Sequence, residues 1–416
     1  MKSEILAVLA VAGACASFGV TVTVDKVQQR YPWNGKIDVD YTISCSDGEG
    51  ALDAANDRLV LTAVDEAVTP AVTNLAKLVA FGPSPLAVGS HRLTWNASGD
   101  GLQTVSSDLV LRLEVRHYKP KYLVVNLEGG STAGSYPVEY WDAPPTTEGG
   151  FNADAFKGDK MVFRLIPSGS FTMGSPTTEG DRAAKESQHV VALTKDYYIG
   201  LFEVTKKQYF NVMGGTAPNL PDGYRPQGSI SYSGVRGSKE GIKWPATNSV
   251  DATSFFGKLR AKTGFDFDLP TEAQWEFACR GGTETPYSDG IPAKYADYPT
   301  RMATLGRCSE DVGDGKGGFN TTTVVGSYAP NPYGLYDMHG NVVEWCLDRY
   351  QETLPDAIDP VGDLSKDRYV LRGGAYSHAA SSARSACRTL TDYAHDRGQG
   401  APDYGFMGVR IALTLP

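Results

Sequence analysis

The stretch Gly334-Leu-Tyr-Asp-Met-His-Gly-Asn-Val-Val-Glu-Trp345 decides how the larger part of this chain is read. It is followed by Leu371-Arg-Gly-Gly-Ala-Tyr376, and the chain closes on Tyr404-Gly-Phe-Met-Gly-Val-Arg-Ile411. Upstream lie Ile166-Pro-Ser-Gly-Ser-Phe-Thr-Met-Gly-Ser175, Glu203-Val-Thr205, Leu269-Pro-Thr-Glu-Ala-Gln-Trp-Glu276 and Cys279-Arg-Gly-Gly282. Each segment alone carries little information. Their order over residues 161–416 carries a great deal.

Local chemistry gives these segments a structural context. Phe163 to Ser175 reads as a hairpin with glycines at its turns. Tyr197-Tyr-Ile-Gly-Leu-Phe-Glu-Val204 reads as a strand running into Thr205-Lys-Lys-Gln208, a capping box that starts a helix ending at Gly214-Gly215. A second helix is expected from Asp251 to Thr263, with Phe255, Phe256 and Leu259 on one face and Gly264 past its end. A third begins at Pro270-Thr-Glu-Ala-Gln274, again a capping box, and stops at Gly281-Gly282. Beyond it regular structure is expected to be sparse. Long irregular stretches inside one domain need internal fastening, for which metal ions and a disulfide are the expected means.

The N-terminal part has another texture. Val20–Val24, Ile37–Ile43, Leu59–Ala63 and Leu109–Val115 alternate at period two or form brief β-branched runs, separated by turn-rich pieces. Residues 17–125 therefore read as an all-β sandwich of immunoglobulin or fibronectin type. Residues 126–160, rich in Gly, Ser, Thr and Pro, read as a linker.

The first 16 residues read as an export signal: a short n-region, an apolar run from Ile5 to Ala14, and Ala14-Cys15-Ala16 as an A-x-A site. A buried N-terminal strand or helix is the alternative. The expected location is secreted, periplasmic or at the cell surface. No later apolar run is long enough to span a bilayer. With 39 basic and 48 acidic residues the net charge is −9, and there is no basic stripe, so nucleic acid is not an expected partner. Of six cysteines none are spaced as CxxC, which argues against a zinc ribbon. The scattered histidines form no facial iron triad with a carboxylate.

In their order, the C-terminal segments resemble the formylglycine-generating enzyme family, also called sulfatase-modifying factors. The resemblance implies an irregular α+β fold related to C-type lectins. It also implies a copper(I)-dependent oxidase acting on a peptide cysteine, with two copper-binding cysteines five residues apart just after Arg-Gly-Gly. Here those positions fall on His378 and Ala383, or, one residue earlier, on Ser377 and Ser382. Neither register supplies a thiol, and hydroxyls are poor copper(I) ligands, so copper is not expected. Family members also include proteins that bind ligands without this chemistry.

The resemblance further implies a Cys279–Cys387 bridge. It implies a calcium site with side chains from Asn341 and Glu344 and main-chain oxygens from Gly340 and Val342, and Asp297 as a ligand of a second calcium site. Without the calcium, Asn341 would cap a turn and Glu344 would face solvent. The cleft rim is expected at Tyr376, Ser377, His378, Ser381, Ser382, Arg384 and Arg388. That rim is a polar pocket with a guanidinium edge, suited to a carbohydrate, a sulfate or a peptide carboxylate. Two functions follow as expectations. One is a ligand-binding or accessory protein for a peptide, glycan or sulfatase. The other is a formylglycine-generating oxidoreductase working by altered chemistry.

Overall fold

The structure is a computed structural model. It describes residues 11–15, 20–30, 35–45, 57–65, 79–80, 87–96, 109–117, 120–237, 244–309, 321–363, 365–366, 368–391 and 405–415. The chain divides into two units, Met1–Lys119 and Pro120–Pro416.

The first unit is built from strands β1 (Val11–Cys15), β2 (Val20–Gln29), β3 (Lys36–Cys45), β4 (Asp57–Asp65), β5 (Val79–Ala80), β6 (Gly89–Asn96) and β7 (Leu109–His117). Their lateral order is β5-β4-β7-β1-β2-β3-β6. The period-two alternation works as expected: Ile37, Val39, Tyr41 and Ile43 are buried with Trp95, Leu59, Leu61, Leu111 and Leu113. The opposite face of β3 and β6 carries a charged ladder, in which Asp38 takes bonds from Arg30 and Thr94 while Asp40 pairs with Arg92.

β1 joins the two halves of the order. Val11 and Ala12 run parallel to β7, and Gly13 to Cys15 run antiparallel to β2. The residues expected at the end of an export leader thus form a strand here.

The second unit starts earlier than expected. Strand β8 (Tyr122–Asn126) pairs with β9 (Val138–Trp141) and with β10 (Lys160–Ile166), in a sheet ordered β19-β13-β10-β8-β9. Here β13 is Tyr197–Gly200 and β19 is Ala412–Thr414. Leu123, Val124, Val125 and Leu127 are wholly buried. Residues 126–160 are therefore not a linker. Their glycines make tight turns: Gly129, Gly130, Gly149 and Gly150 all sit at positive φ around two short 3-10 turns. Turn glycines and linker glycines give the same composition, which is why the two were confused.

Two smaller sheets complete the unit. Strands β11 (Gly169–Met173), β12 (His189–Leu193) and β15 (Ala357–Ile358) form one. Strands β17 (Thr389–Thr391), β16 (Tyr369–Arg372), β14 (Val343–Arg349) and β18 (Met407–Gly408) form the other.

Both capping boxes are present. Thr205 and Gln208 open helix α1 (Lys206–Met213), and Thr271 and Gln274 open α4 (Glu272–Arg280). Helix α3 (Phe255–Thr263) begins four residues later than expected, because Ser254 rather than Asp251 takes the N-cap. Asp251 instead holds the turn before it through Thr253. Helices α2 (Tyr232–Arg236) and α5 (Tyr298–Leu305) were not expected.

Trp345 and Phe163 lie in one core cluster with Phe255, Phe256 and Leu259, and Trp275 lies in a second with Ile166 and Cys346. Burying one such indole is worth about 4–6 kcal/mol against an unfolded chain. No helix among the described residues is long and apolar enough to cross a membrane.

Candidate functional site

The segment after β16 is folded by two glycines. Gly373 and Gly374 both have positive φ, and a Cβ on Gly374 would lie 2.9 Å from the Ser382 carbonyl oxygen and from the Ala383 Cα. The chain thus turns back so that the 3-10 turn Ala380–Ala383 rests on Gly374. Only glycine permits that approach.

The loop is tied to its surroundings by main-chain bonds. Tyr376 N donates to Asn341 O, Gly340 N to Gly373 O, and Ser309 N to His378 O, at 2.7–2.9 Å. Tyr376, Ser377, His378, Ala379 and Ser382 are left half-buried, whereas Ser381 and Ala383 are buried. The His378 ring packs on Phe406, centroids 5.1 Å apart. Burial holds its pKa below the ordinary histidine value.

The expected guanidinium edge is not there. Arg384 is 1% exposed and points inward. Its Nη1 donates to Glu179 and Glu186, its Nη2 to Glu186 and the Asp181 carbonyl, and its Nε to the Ser381 carbonyl. Arg388 forks onto Glu272 at 2.6 and 2.8 Å, reaches the Lys185 and Gln351 carbonyls, and lies over the Tyr350 ring. Both arginines were expected on the rim, and both are instead buried ion-pair partners. Buried guanidinium groups need such satisfaction, since an unpaired charge would be too costly.

Cys279 and Cys387 do not form the bridge that the resemblance implies; both are thiols. The residue facing Cys279 Sγ is Ser385, whose Oγ is 3.6 Å away, with His339 Nε2 at 3.9 Å. Burial pushes the Cys279 thiol up to about 12 and raises those of Cys346 and Cys387 as well. His339 is enclosed. Its Nδ1 meets the Ala383 carbonyl, its Nε2 meets Ser288 N and Oγ, and burial pushes its pKa down to about 4. Cys308 belongs to a small buried cluster that also holds Ala380 and Ala383 of the 3-10 turn.

Asn341, at φ 62, spends both ends of its amide: Oδ1 accepts from Thr323 N, and Nδ2 donates to Glu203. Glu344 does not face solvent. It takes Arg410 Nε and Nη2 and the Trp275 indole N–H. Both side chains of the expected Asn341–Glu344 calcium set are thus engaged by protein groups, Glu344 by the Arg410 guanidinium above all.

Asp297, expected in a second calcium site, is exposed and caps the Lys294 amide. Among the described residues no three His, Cys, Asp or Glu side chains converge as a metal-binding group.

Sequence reasoning missed Glu203 and Asp337, which belong to this same buried centre. Glu203 is fully enclosed and accepts from Asn341 and from Val342 N. Burial, then Asp337 and Glu344, hold its carboxyl well above the usual range. Asp337, at φ 56, accepts from Gly326 N through Oδ2, while its Oδ1 is buried without a partner; burial pushes it up to about 6. The positive φ of an Asp between Tyr336 and Met338 leaves no trace in the sequence pattern.

A fold with these fastenings has known relatives. Residues 149–415 match the model of the sulfatase-modifying factor enzyme 1-like domain, and the chain belongs to that family. It is 26% identical over 312 residues to the formylglycine-generating enzyme of Bos taurus, covering 66% of this chain and 79% of the relative. It is 30% identical over 289 residues to the chaperone protein LppX of Paenibacillus barcinonensis, covering 60% of this chain and 98% of the relative. The serine/threonine-protein kinase pkn1 of Chlamydia pneumoniae is 30% identical over 254 residues, 58% of this chain. The match spans only 36% of that kinase, about a third of its length.

Proposed function

We propose that this protein is a ligand-binding or accessory member of the family rather than a copper oxidase. The carrying observation is chemical. The segment Tyr376–Ala386, where the family's paired cysteines would stand, contains none. Cys279 and Cys346 are buried thiols and Cys387 a half-buried one, all with raised pKa values, the reverse of what a metal-binding thiolate needs. A relative named as a chaperone, covered over nearly its whole length, is consistent with an accessory role.

Export is part of this reading, with the N-terminal unit as a sandwich-like spacer or binding module. Cleavage after Ala16 would remove β1, so the mass of the mature protein bears on both points. A peptide, a glycan or a sulfatase is the ligand class to search.

The second reading is an oxidase of altered chemistry, and Cys308, in one buried cluster with Ala380 and Ala383, is what favours it. The deciding experiment is a copper(I) titration of the full chain against a competing chelator, followed by a cysteine-containing sulfatase peptide under oxygen. Absence of a tight copper site and an unchanged peptide mass support the binding reading. Tight binding that disappears in Cys308→Ala, with a mass change at the peptide cysteine, refutes it.

A further inference from the structure

We propose that the loop of residues 175–187, between β11 and β12, is a lid that opens as a unit and regulates the segment after the Arg-Gly-Gly turn through Arg384. The loop has the build of an Ω-loop, a surface excursion whose two ends meet at a neck. At the neck Ser175 bridges to Ser187, and Ser175 N donates to Glu186 O at 2.8 Å. Gly174 makes this closure possible: its φ is 93°, and a Cβ there would lie 2.6 Å from the Ser187 carbonyl oxygen. The neck is fixed to the body, since Gly174 N donates to Glu276 and Gly174 O accepts from Arg280 Nη2. The β11–β12 ladder ends just before it, at Met173 and His189, so the loop can move without breaking the sheet.

The bonds that hold the tip down are polar. The sequence Ser175-Pro-Thr-Thr-Glu-Gly-Asp-Arg-Ala-Ala-Lys-Glu-Ser187 has no apolar side chain larger than Pro176, so little apolar area meets water on opening. Thr177, Thr178, Asp181, Ala184 and Ser187 are exposed already. Glu179 and the Asp181 carbonyl accept from Arg384 at 2.5 and 2.8 Å, the Lys185 carbonyl from Arg388 Nη1 at 3.0 Å, and the Gly180 carbonyl from the Tyr298 hydroxyl at 3.1 Å. Glu179 is the weak member. Arg384 already has Glu186 as a forked partner at 2.8 and 3.0 Å, so Glu179 is a second carboxylate on one cation, and burial raises its pKa. When the tip lifts, Glu186 stays with Arg384 beside the neck and no bare charge is left buried. A segment fastened in this way opens at a lower cost than the packed core.

Arg384 joins the lid to the site. The guanidinium that holds the tip through its Nη atoms donates through Nε to the Ser381 carbonyl, inside the 3-10 turn Ala380–Ala383. Released from Glu179 and Asp181, Arg384 is free to shift, and the turn moves with it. Arg388, four residues on, loses the Lys185 carbonyl in the same step. The lid therefore biases the arrangement of the turn, and a ligand that prefers one arrangement biases the lid in return. Lys185 and Glu186 also act on the Cys387 thiol, which makes that half-buried group a reporter of opening.

The test is hydrogen exchange of the full chain, read by mass spectrometry, with iodoacetamide labelling of Cys387 alongside. In the wild-type protein the amides of residues 177–185 should exchange well before those of β10 and α4. Glu179→Ala should speed them by at least about tenfold, the equivalent of one charge-assisted hydrogen bond. Residues 380–383 and the labelling of Cys387 should speed up with them, while β10 and α4 stay as in the wild type. Glu179→Gln keeps a neutral hydrogen bond and should fall between the two.

Exchange of residues 177–185 only together with β10 and α4 overturns the lid. A loop that opens faster in Glu179→Ala while residues 380–383 and Cys387 labelling stay unchanged overturns the regulation through Arg384, and with it the proposal. Copper-dependent oxidation of a peptide cysteine would overturn the binding reading and leave the lid standing.

Discussion

Replacing Ser385 by cysteine should create a disulfide to Cys279. In the native fold Cys279 Sγ and Ser385 Oγ are 3.6 Å apart, and both residues are fully enclosed. A disulfide needs the two sulfurs at about 2 Å, so a displacement of roughly 1.5 Å shared between two side chains suffices. The bridge would close a loop of roughly 100 residues, for which chain entropy alone stabilises by about 4.7 kcal/mol. Strain in this packed site subtracts from that figure, and a net gain of roughly 2–4 kcal/mol is the working expectation.

The assay is denaturant unfolding of Ser385→Cys with and without reductant, alongside non-reducing peptide mapping by mass spectrometry. Because the Cys279 thiol is pushed up to about 12, the bridge should form during oxidative refolding and not by soaking the folded protein in oxidant. A Cys279–Cys387 peptide from the wild-type protein would refute the placement of Ser385 opposite Cys279. So would a Ser385→Cys variant that folds but keeps both thiols after oxidative refolding.

Arg384→Ala leaves Glu179 and Glu186 buried without their partner and should cost about 3–5 kcal/mol of stability, measured by urea unfolding; an unchanged midpoint would mean the arginine is not enclosed. Chelation with EGTA should leave the melting temperature of the second unit where it is, because Arg410 neutralises Glu344; a fall of several degrees, reversed by calcium, would point to Asp337 as a ligand. Asp348 lies fully buried beside Glu272, and burial pushes its pKa up to about 8 from 3.8. The native state therefore holds its proton longer, so this contribution is complete below about pH 4 and is lost as pH rises through 8; Asp348→Asn should flatten that slope in a pH series of unfolding curves. His339 acts in the opposite sense, since its pKa falls from 6.5 to about 4, and stability present above pH 6.5 is lost as pH drops toward 4; His339→Gln should remove the acid-side decline.

What the sequence reveals is largely what short-range chemistry decides. The capping boxes at Thr205 and Thr271 involve residues three apart, and both are where the pattern puts them. The strands of the first unit follow from alternation along the chain. The arginines after β16 were misplaced because their partners are remote: Glu179 and Glu186 lie about two hundred positions away from Arg384, and Glu272 more than a hundred from Arg388. A charged residue in a loop-like stretch looks exposed until its counter-ion is known. Strand β14 was hidden for a related reason. Its sequence does alternate, with Val343, Trp345 and Leu347 set against Glu344, Cys346 and Asp348, but the polar side is buried as well, with Glu344 on Arg410 and Asp348 on the Glu272 amide. The half-exposed loop at Tyr376–His378 was legible only through the resemblance, which puts the cleft just after Arg-Gly-Gly.

The same remote pairings set an order on synthesis. Glu179, Glu186, Glu272 and Glu344 are each made before the guanidinium group, of Arg384, Arg388 or Arg410, that makes their burial tolerable. Until then those carboxylates have to stay hydrated. The second unit therefore cannot close progressively from its N-terminal side. A nascent chain would carry it open until its last strand, β19, arrives beside β13. For that interval the apolar surfaces of β10 and α4 need shelter from other chains, so the fold's demand on cellular chaperones falls before β19 is in place.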